Sequence, residues 1–200
     1  KRMKRIFIAV KTLPGSSLMR MLATVKSLAG QERIKWVDPS NLHITLVFLG
    51  DTEEKRIADI SHALGVSCQQ YGSFEFSLEG TGVFKTWNDP RVFWVGVNPR
   101  EKLQELNRII LDNPGFAGFS QEERIFRPHL TIGRARSVSD RESLRNILGK
   151  YSQIHFQTVK VTEVILYESI LQKTGPVYRP LEYFPLKDTS GGPADFSPKL

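Results

Sequence analysis

Cysteine is almost absent: Cys68 is the only one in 200 residues. It can form no internal disulfide, and one thiol cannot build a cysteine zinc site. A reducing, cytoplasmic setting is the expectation. Long apolar runs are also missing. Ile6–Val10 and Ile44–Leu49 are the longest, strand-length against the roughly 20 residues that cross a bilayer, so no membrane association is expected. The basic opening Lys-Arg-Met-Lys-Arg precedes only five apolar residues, too few for a signal peptide. There is no Gly-x-x-x-x-Gly-Lys-Ser/Thr loop, which excludes ATPases of that class. There is no His-Glu-x-x-His, carboxylate cluster or cysteine pair, so no metal and no cofactor are expected. Acidic residues are in deficit, 21 against 28 Lys and Arg, for a formal charge of +7. That sign suits a polyanion such as nucleic acid, although mild basicity also serves solubility.

What is present fits one medium domain or two small lobes with a real core: 40% of residues are hydrophobic and 24% charged. Apolar periodicity predicts strands over Arg5–Val10, Ile34–Val37, Leu42–Leu49, Phe74–Leu78, Arg91–Val97, Pro128–Arg134, Ile154–Val161, Val164–Ser169 and Tyr178–Leu186. It predicts helices over Ser16–Ala29, Thr52–Tyr71 (capped by Asp51 or Thr52), Pro99–Leu111 and Ser139–Lys150 (capped by Ser139 or Asp140). Gly80–Pro90 reads as loop, with a strand piece at Gly82–Phe84 at most, and Asn113–Arg127 as an irregular linker or short helix. Lys187–Leu200, rich in Pro, Gly and Ser, reads as a tail, so residues 1–188 form the domain and 189–200 trail from it. Hairpin-like strand pairs with helices between them, without strict βαβ alternation, argue α+β with largely antiparallel sheets.

The informative feature is an internal echo. Asn41–Leu49 reads N-L-H-I-T-L-V-F-L, and Arg127–Arg134 reads R-P-H-L-T-I-G-R. His43 and Thr45 recur as His129 and Thr131, 86 residues later, and a predicted helix follows each. Strand side chains alternate faces. His43 and Thr45 therefore share one face while Ile44 and Leu46 take the other, and the same holds for His129 and Thr131 against Leu130 and Ile132. Two related lobes packed about an approximate two-fold axis bring both His-Thr faces to one cleft. A single His-x-Thr is ordinarily structural, with threonine chosen for its β propensity; it is the pair at half-chain spacing that points to chemistry.

An imidazole titrates near neutrality. Of two facing imidazoles, one can take a proton from the attacker while the other gives one to the leaving oxygen. That suits in-line displacement at phosphorus, with the threonine hydroxyls donating to the non-bridging oxygens. An arginine adds a charge-assisted phosphate contact. Two are near. Arg127 shares the histidine face by parity. Arg134 does so only if Gly133 introduces a bulge. Trp36, Phe48, Phe84, Trp87 and Trp94 read as core by default, and one of them, such as Phe48, can stack on a base. His62 and His155 have no Thr two residues on and read as surface or core fillers.

The paired motifs resemble those of the two-histidine (2H) phosphoesterases, and within them the RNA 2′,3′-cyclic phosphodiesterase branch, also called 2′-5′ RNA ligase or LigT/ThpR type. Arg5-Ile-Phe-Ile-Ala-Val10 is similar to the opening strand of that branch. Leu166-Tyr-Glu-Ser169 with Gly175 and Tyr178 is similar to the stretch before its last strand, so the resemblance covers roughly Arg5 to Leu186. It implies a bilobal fold of two pseudo-symmetric lobes around a central cleft, with outer helices. It implies metal-independent opening of 2′,3′-cyclic phosphate ends of RNA to a 2′-phosphate, with 2′-5′ joining of tRNA halves as the reverse reaction. By the same resemblance His43 is the proton donor, His129 the acceptor, Thr45 and Thr131 bind phosphate, and Arg134 is favoured over Arg127. The expected partner is RNA with cyclic phosphate ends or a cyclic nucleotide, met by a monomer. Two other readings use the same residues: a non-catalytic RNA-binding module, and a phosphodiesterase of a small cyclic nucleotide.

Overall fold

The computed structural model describes residues 2–119 and 126–189. Among the described residues nine strands form two antiparallel sheets. The first has the order β3-β1-β8-β9, with β1 Met3–Lys11, β3 His43–Glu53, β8 Glu163–Gln172 and β9 Gly175–Pro185. The second has the order β2-β6-β5-β4-β7, with β2 Arg33–Trp36, β4 Phe74–Thr86, β5 Asp89–Asn98, β6 Leu130–Ser137 and β7 His155–Val161. The helices α1 Ser16–Leu28, α2 Ile57–Gln69, α3 Glu101–Asp112 and α4 Arg141–Gly149 cover the sheets. The lobes exchange helices. α1 follows a strand of the first sheet but packs on the second with α4, whereas α3 follows the second and packs on the first with α2. One apolar cluster, from Ile6 and Ile44 to Phe93 and Leu130, runs through both lobes. The fold is thus the bilobal α+β arrangement expected.

Three readings of the sequence need correction. The segment from Thr52 is not helical at its start: β3 continues to Glu53, pairing Thr52 with Lys4, and α2 begins only at Ile57. Neither Asp51 nor Thr52 caps it; the Thr52 hydroxyl donates to the Gly50 carbonyl instead. Gly50, at φ +70°, lets the strand run on past Leu49, where the apolar pattern ends it. The Gly80–Pro90 stretch is not a loop but the arms of one long hairpin, β4 into β5, bulged at Gly80. A Cβ on Gly80 would sit 2.7 Å from the Ser152 carbonyl, and its φ is +69°; the glycines read as loop signals serve a bulge. The last strand is longer than the apolar pattern, β9 starting at Gly175 rather than Tyr178. Asp140 caps α4, accepting from the Ser143 N–H at 2.9 Å. Of the tail, Lys187 and Thr189 are tied to Tyr71 and Ser73 by hydrogen bonds; 190–200 lie outside the described residues, as do 120–125 of the stretch read as irregular.

The two motif strands carry the same irregularity. In β3, Thr45 pairs with Ala9 and Val47 with Ile8, leaving Leu46 as an extra residue. In β6, Thr131 pairs with Trp94 and Gly133 with Phe93, leaving Ile132 extra. Each bulged carbonyl finds a donor, as a buried one must. The Leu46 carbonyl accepts from the Asn107 side-chain amide at 2.7 Å, and that of Ile132 from the Val37 N–H at 2.9 Å. A bulge resets parity. Phe48 therefore shares a face with His43 and Thr45, and Arg134 with His129 and Thr131.

The second bulge depends on its glycine. A Cβ on Gly133 would meet Trp36 Cε3 at 2.8 Å and Ile34 Cγ2 at 3.1 Å. Gly133→Ala is expected to lower stability by about 1–3 kcal/mol through overpacking, read as a lower denaturant midpoint at unchanged m-value. An unchanged midpoint would show that the Trp36 indole swings aside.

Candidate active site

The histidines sit at corresponding points of the two lobes. His43 opens β3 and His129 immediately precedes β6. Both are held alike. His43 Nδ1 lies 2.7 Å from the Asn41 carbonyl oxygen, and His129 Nδ1 lies 2.7 Å from that of Arg127. A carbonyl only accepts, so each Nδ1 carries the hydrogen and each Nε2 is left with its lone pair free. The hydrophobic neighbours Leu42, Ile44 and Leu130 anchor these segments in the core.

Aromatic rings hold both imidazoles. Around His43 stand Phe7 (centroids 5.1 Å), Tyr178 (5.0 Å, edge-on) and Tyr167 (6.5 Å). Phe7, Tyr167 and Tyr178 belong to a small apolar cluster on the cleft face of the first sheet, opposite the main core. Against His129 stands Phe84 at 4.5 Å, edge-on, backed by Trp94 at 5.6 Å. The motifs did not single out Phe7 and Tyr167, although their period-2 spacing along β1 and β8 was readable.

Electrostatics joins the two halves. Burial pushes the pKa of His43 below its ordinary value; the Asn41 carbonyl opposes this, and the charges of Arg134 and His129 add to it. His129 is lowered by burial and by Arg134, against its bond to the Arg127 carbonyl. Arg134 acts on Tyr178 as well, countering the upward push of burial there. The charge of one guanidinium from the second lobe is therefore felt by both histidines and by a tyrosine of the first. Arg127 precedes β6, so strand parity does not aim its side chain, which is exposed; it is its carbonyl that meets His129. The bulge before Gly133 is what turns Arg134 to the histidine face. Thr45 and Thr131 are half-buried on the two cleft faces. Phe48 takes, in the first lobe, the place Arg134 has in the second. It is 55% exposed, with the Arg5 guanidinium 4.9 Å from its ring centroid.

The remaining histidines lie elsewhere. His62 lines a groove of about 930 Å³ between α2 and β9, which none of the motif residues enter. His155 opens β7 at the far edge of the second sheet. No three His, Cys, Asp or Glu side chains cluster among the described residues. Chemically the cleft offers an imidazole Nε2 and a hydroxyl from each lobe and one guanidinium from the second. That set can bind a phosphate ester and move protons on opposite sides of it.

Comparison with known proteins gives the same direction. The sequence model of the 2'-5' RNA ligase superfamily matches residues 16–170. An RNA 2',3'-cyclic phosphodiesterase of Methanothermobacter thermautotrophicus is 35% identical over 184 residues, 91% of this chain and 98% of that one. One of Archaeoglobus fulgidus is 34% identical over 180 residues, 90% and 99%. Among solved structures, E. coli LigT complexed with 3'-AMP shares the fold, with a TM-score of 0.71 at 24% identity, covering 92% of this chain and 99% of that one.

Proposed function

Since the chain belongs to the 2'-5' RNA ligase superfamily, we propose that it is an RNA 2',3'-cyclic phosphodiesterase that opens the ring by two-histidine acid–base catalysis without a metal. The observation that carries this reading is the matched pair of imidazoles, each with Nδ1–H bonded to the carbonyl two residues back and Nε2 free. In the forward reaction a water attacks phosphorus. His129 Nε2 takes its proton, and His43 Nε2–H gives one to the departing 3′ oxygen, so the P–O3′ bond breaks and a 2′-phosphate remains. Thr45 and Thr131 donate to the non-bridging oxygens, and Arg134 meets their charge. Each turnover leaves His129 protonated and His43 neutral, and solvent exchange resets them. A 5′ hydroxyl in place of water gives 2′-5′ joining with the same proton movements. Phe48 offers a face for the base.

The reading takes the chain as a monomer, both histidines coming from one polypeptide, working in the cytoplasm. No described helix is long and apolar enough to cross a membrane. It predicts undiminished turnover of a cyclic-phosphate-ended oligoribonucleotide in excess EDTA, with the product assigned as 2′-phosphate by phosphorus NMR. Loss of turnover in EDTA, restored by a divalent cation, would contradict the metal-free scheme. A 3′-phosphate product would reverse the leaving group. Tight binding without turnover would favour the RNA-binding module.

A further inference from the structure

Beside the catalytic strand lies a second cation that the scheme above does not use. Lys35 of β2 is paired directly opposite Arg134 of β6. Ile34 and Trp36 flank Gly133 on the core face, so Lys35 stands with Arg134 on the cleft face, and both are exposed. Like charges directly opposite on one sheet face are unfavourable. Yet neither has an ion pair or side-chain hydrogen bond among the described residues. The Lys35 ammonium reaches the other lobe: a Cβ on Gly175, where β9 begins, would sit 3.1 Å from its Nζ. Gly175 has φ +133°, so backbone conformation and space both keep that spot clear of a side chain. The next residue, Pro176, accepts from the Asn41 amide at 3.4 Å, which brings the same hairpin to the segment that orients His43. Lys35 therefore closes one end of the cleft with an unpaired positive charge.

We propose that Lys35 forms a second phosphate subsite, which takes the phosphodiester 5′ to the terminal nucleotide of an oligoribonucleotide while Arg134 holds the reacting cyclic phosphate. The proposal rests on the phosphodiesterase reading and deepens it. A strand ending in a cyclic phosphate carries that flanking phosphodiester; a nucleoside 2′,3′-cyclic monophosphate does not. Two unpaired cations rooted on adjacent strands match two successive backbone anions. Lys35 thus makes the site selective for chains over mononucleotides.

The test measures kcat/KM for a short oligoribonucleotide with a 2′,3′-cyclic end and for a nucleoside 2′,3′-cyclic monophosphate, in wild type, Lys35→Ala and Lys35→Arg. The ratio of the two is expected to fall about fivefold in Lys35→Ala, the loss of one exposed charge contact, and to be kept in Lys35→Arg. The slope of log(kcat/KM) for the oligonucleotide against log salt should flatten by about 0.7. A parallel anisotropy titration with the 2′-phosphate-ended oligonucleotide should show the same weakening without turnover. An unchanged ratio overturns the proposal, whether Lys35→Ala spares both substrates or slows both equally; the latter would put Lys35 on the reacting phosphate. Wild type that turns over neither substrate would overturn the phosphodiesterase reading. The anisotropy titration would then decide the subsite alone, unchanged affinity in Lys35→Ala overturning it.

Discussion

Alanine in place of either His43 or His129 is expected to lower kcat for cyclic phosphate opening by about 10²–10⁴-fold, the ordinary worth of a positioned proton donor or acceptor. The fold should survive. Each imidazole bonds only to a carbonyl of its own segment, two residues back, and the residues that anchor those segments, Leu42, Ile44 and Leu130, are untouched. Removing one such bond at a half-exposed site costs about 1 kcal/mol, and the ring contacts add to this, so denaturant midpoints should fall modestly while the fold is kept. The double variant should be scarcely slower than the worse single one, because two groups that pass protons within one displacement act as a unit. Undiminished turnover in both single variants would sink the assignment.

Arg134→Gln is expected to reduce kcat/KM by about 10²–10³-fold, as loss of a preorganised group facing developing charge does. Arg134→Lys should recover only part of this, since a point charge lacks the planar fork. The pH dependence moves in a defined direction. Arg134 depresses the pKa of both His43 and His129. Removing the guanidinium lets both rise, so both limbs of the kcat/KM profile should shift to higher pH. Stability follows the same sign. With folded pKa values below the unfolded value of about 6.5, the unfolded chain binds more protons. Wild-type stability is therefore lost as pH falls from the unfolded pKa through the lowered folded ones. That loss should be smaller in Arg134→Gln. A profile of Arg134→Gln displaced to lower pH would mean that the guanidinium does not face the imidazoles.

The echo of His43-x-Thr45 in His129-x-Thr131 was legible because the period of a strand is two and both copies obey it up to the threonine. Beyond that residue the register breaks, and parity alone mis-aims the next side chains. Gly133 hinted at the break in the second lobe; nothing in Leu46-Val47 hints at the equivalent one in the first. A bulge there is set by the Asn107 amide reaching the Leu46 carbonyl from a helix 61 residues away, a long-range contact that no local pattern records. The same applies to the hairpin read as a loop. Its glycines, Gly80 and Gly82, serve close approaches to Ser152 and to the Trp94 indole, and turn chemistry and tight packing look alike in sequence. The helix boundary after Gly50 failed for a related reason: a left-handed glycine ordinarily ends a strand, but pairing with β1 carries this one through. The exchange of helices between lobes is purely tertiary, and so is the placing of the Phe7, Tyr167 and Tyr178 rings around His43.

The central claim is that one imidazole from each lobe acts on opposite sides of a single phosphate, His129 as base and His43 as acid. The pH dependence of kcat/KM in wild type, His43→Ala and His129→Ala tests it most directly. Wild type should give a bell with both limbs below the ordinary histidine range. His129→Ala should lose the limb on the acid side and keep the fall on the alkaline side, and His43→Ala should lose the alkaline fall and keep the acid limb. The opposite assignment of limbs would exchange the two roles. A wild-type profile without both limbs, or the same limb lost in both variants, would contradict the paired acid and base.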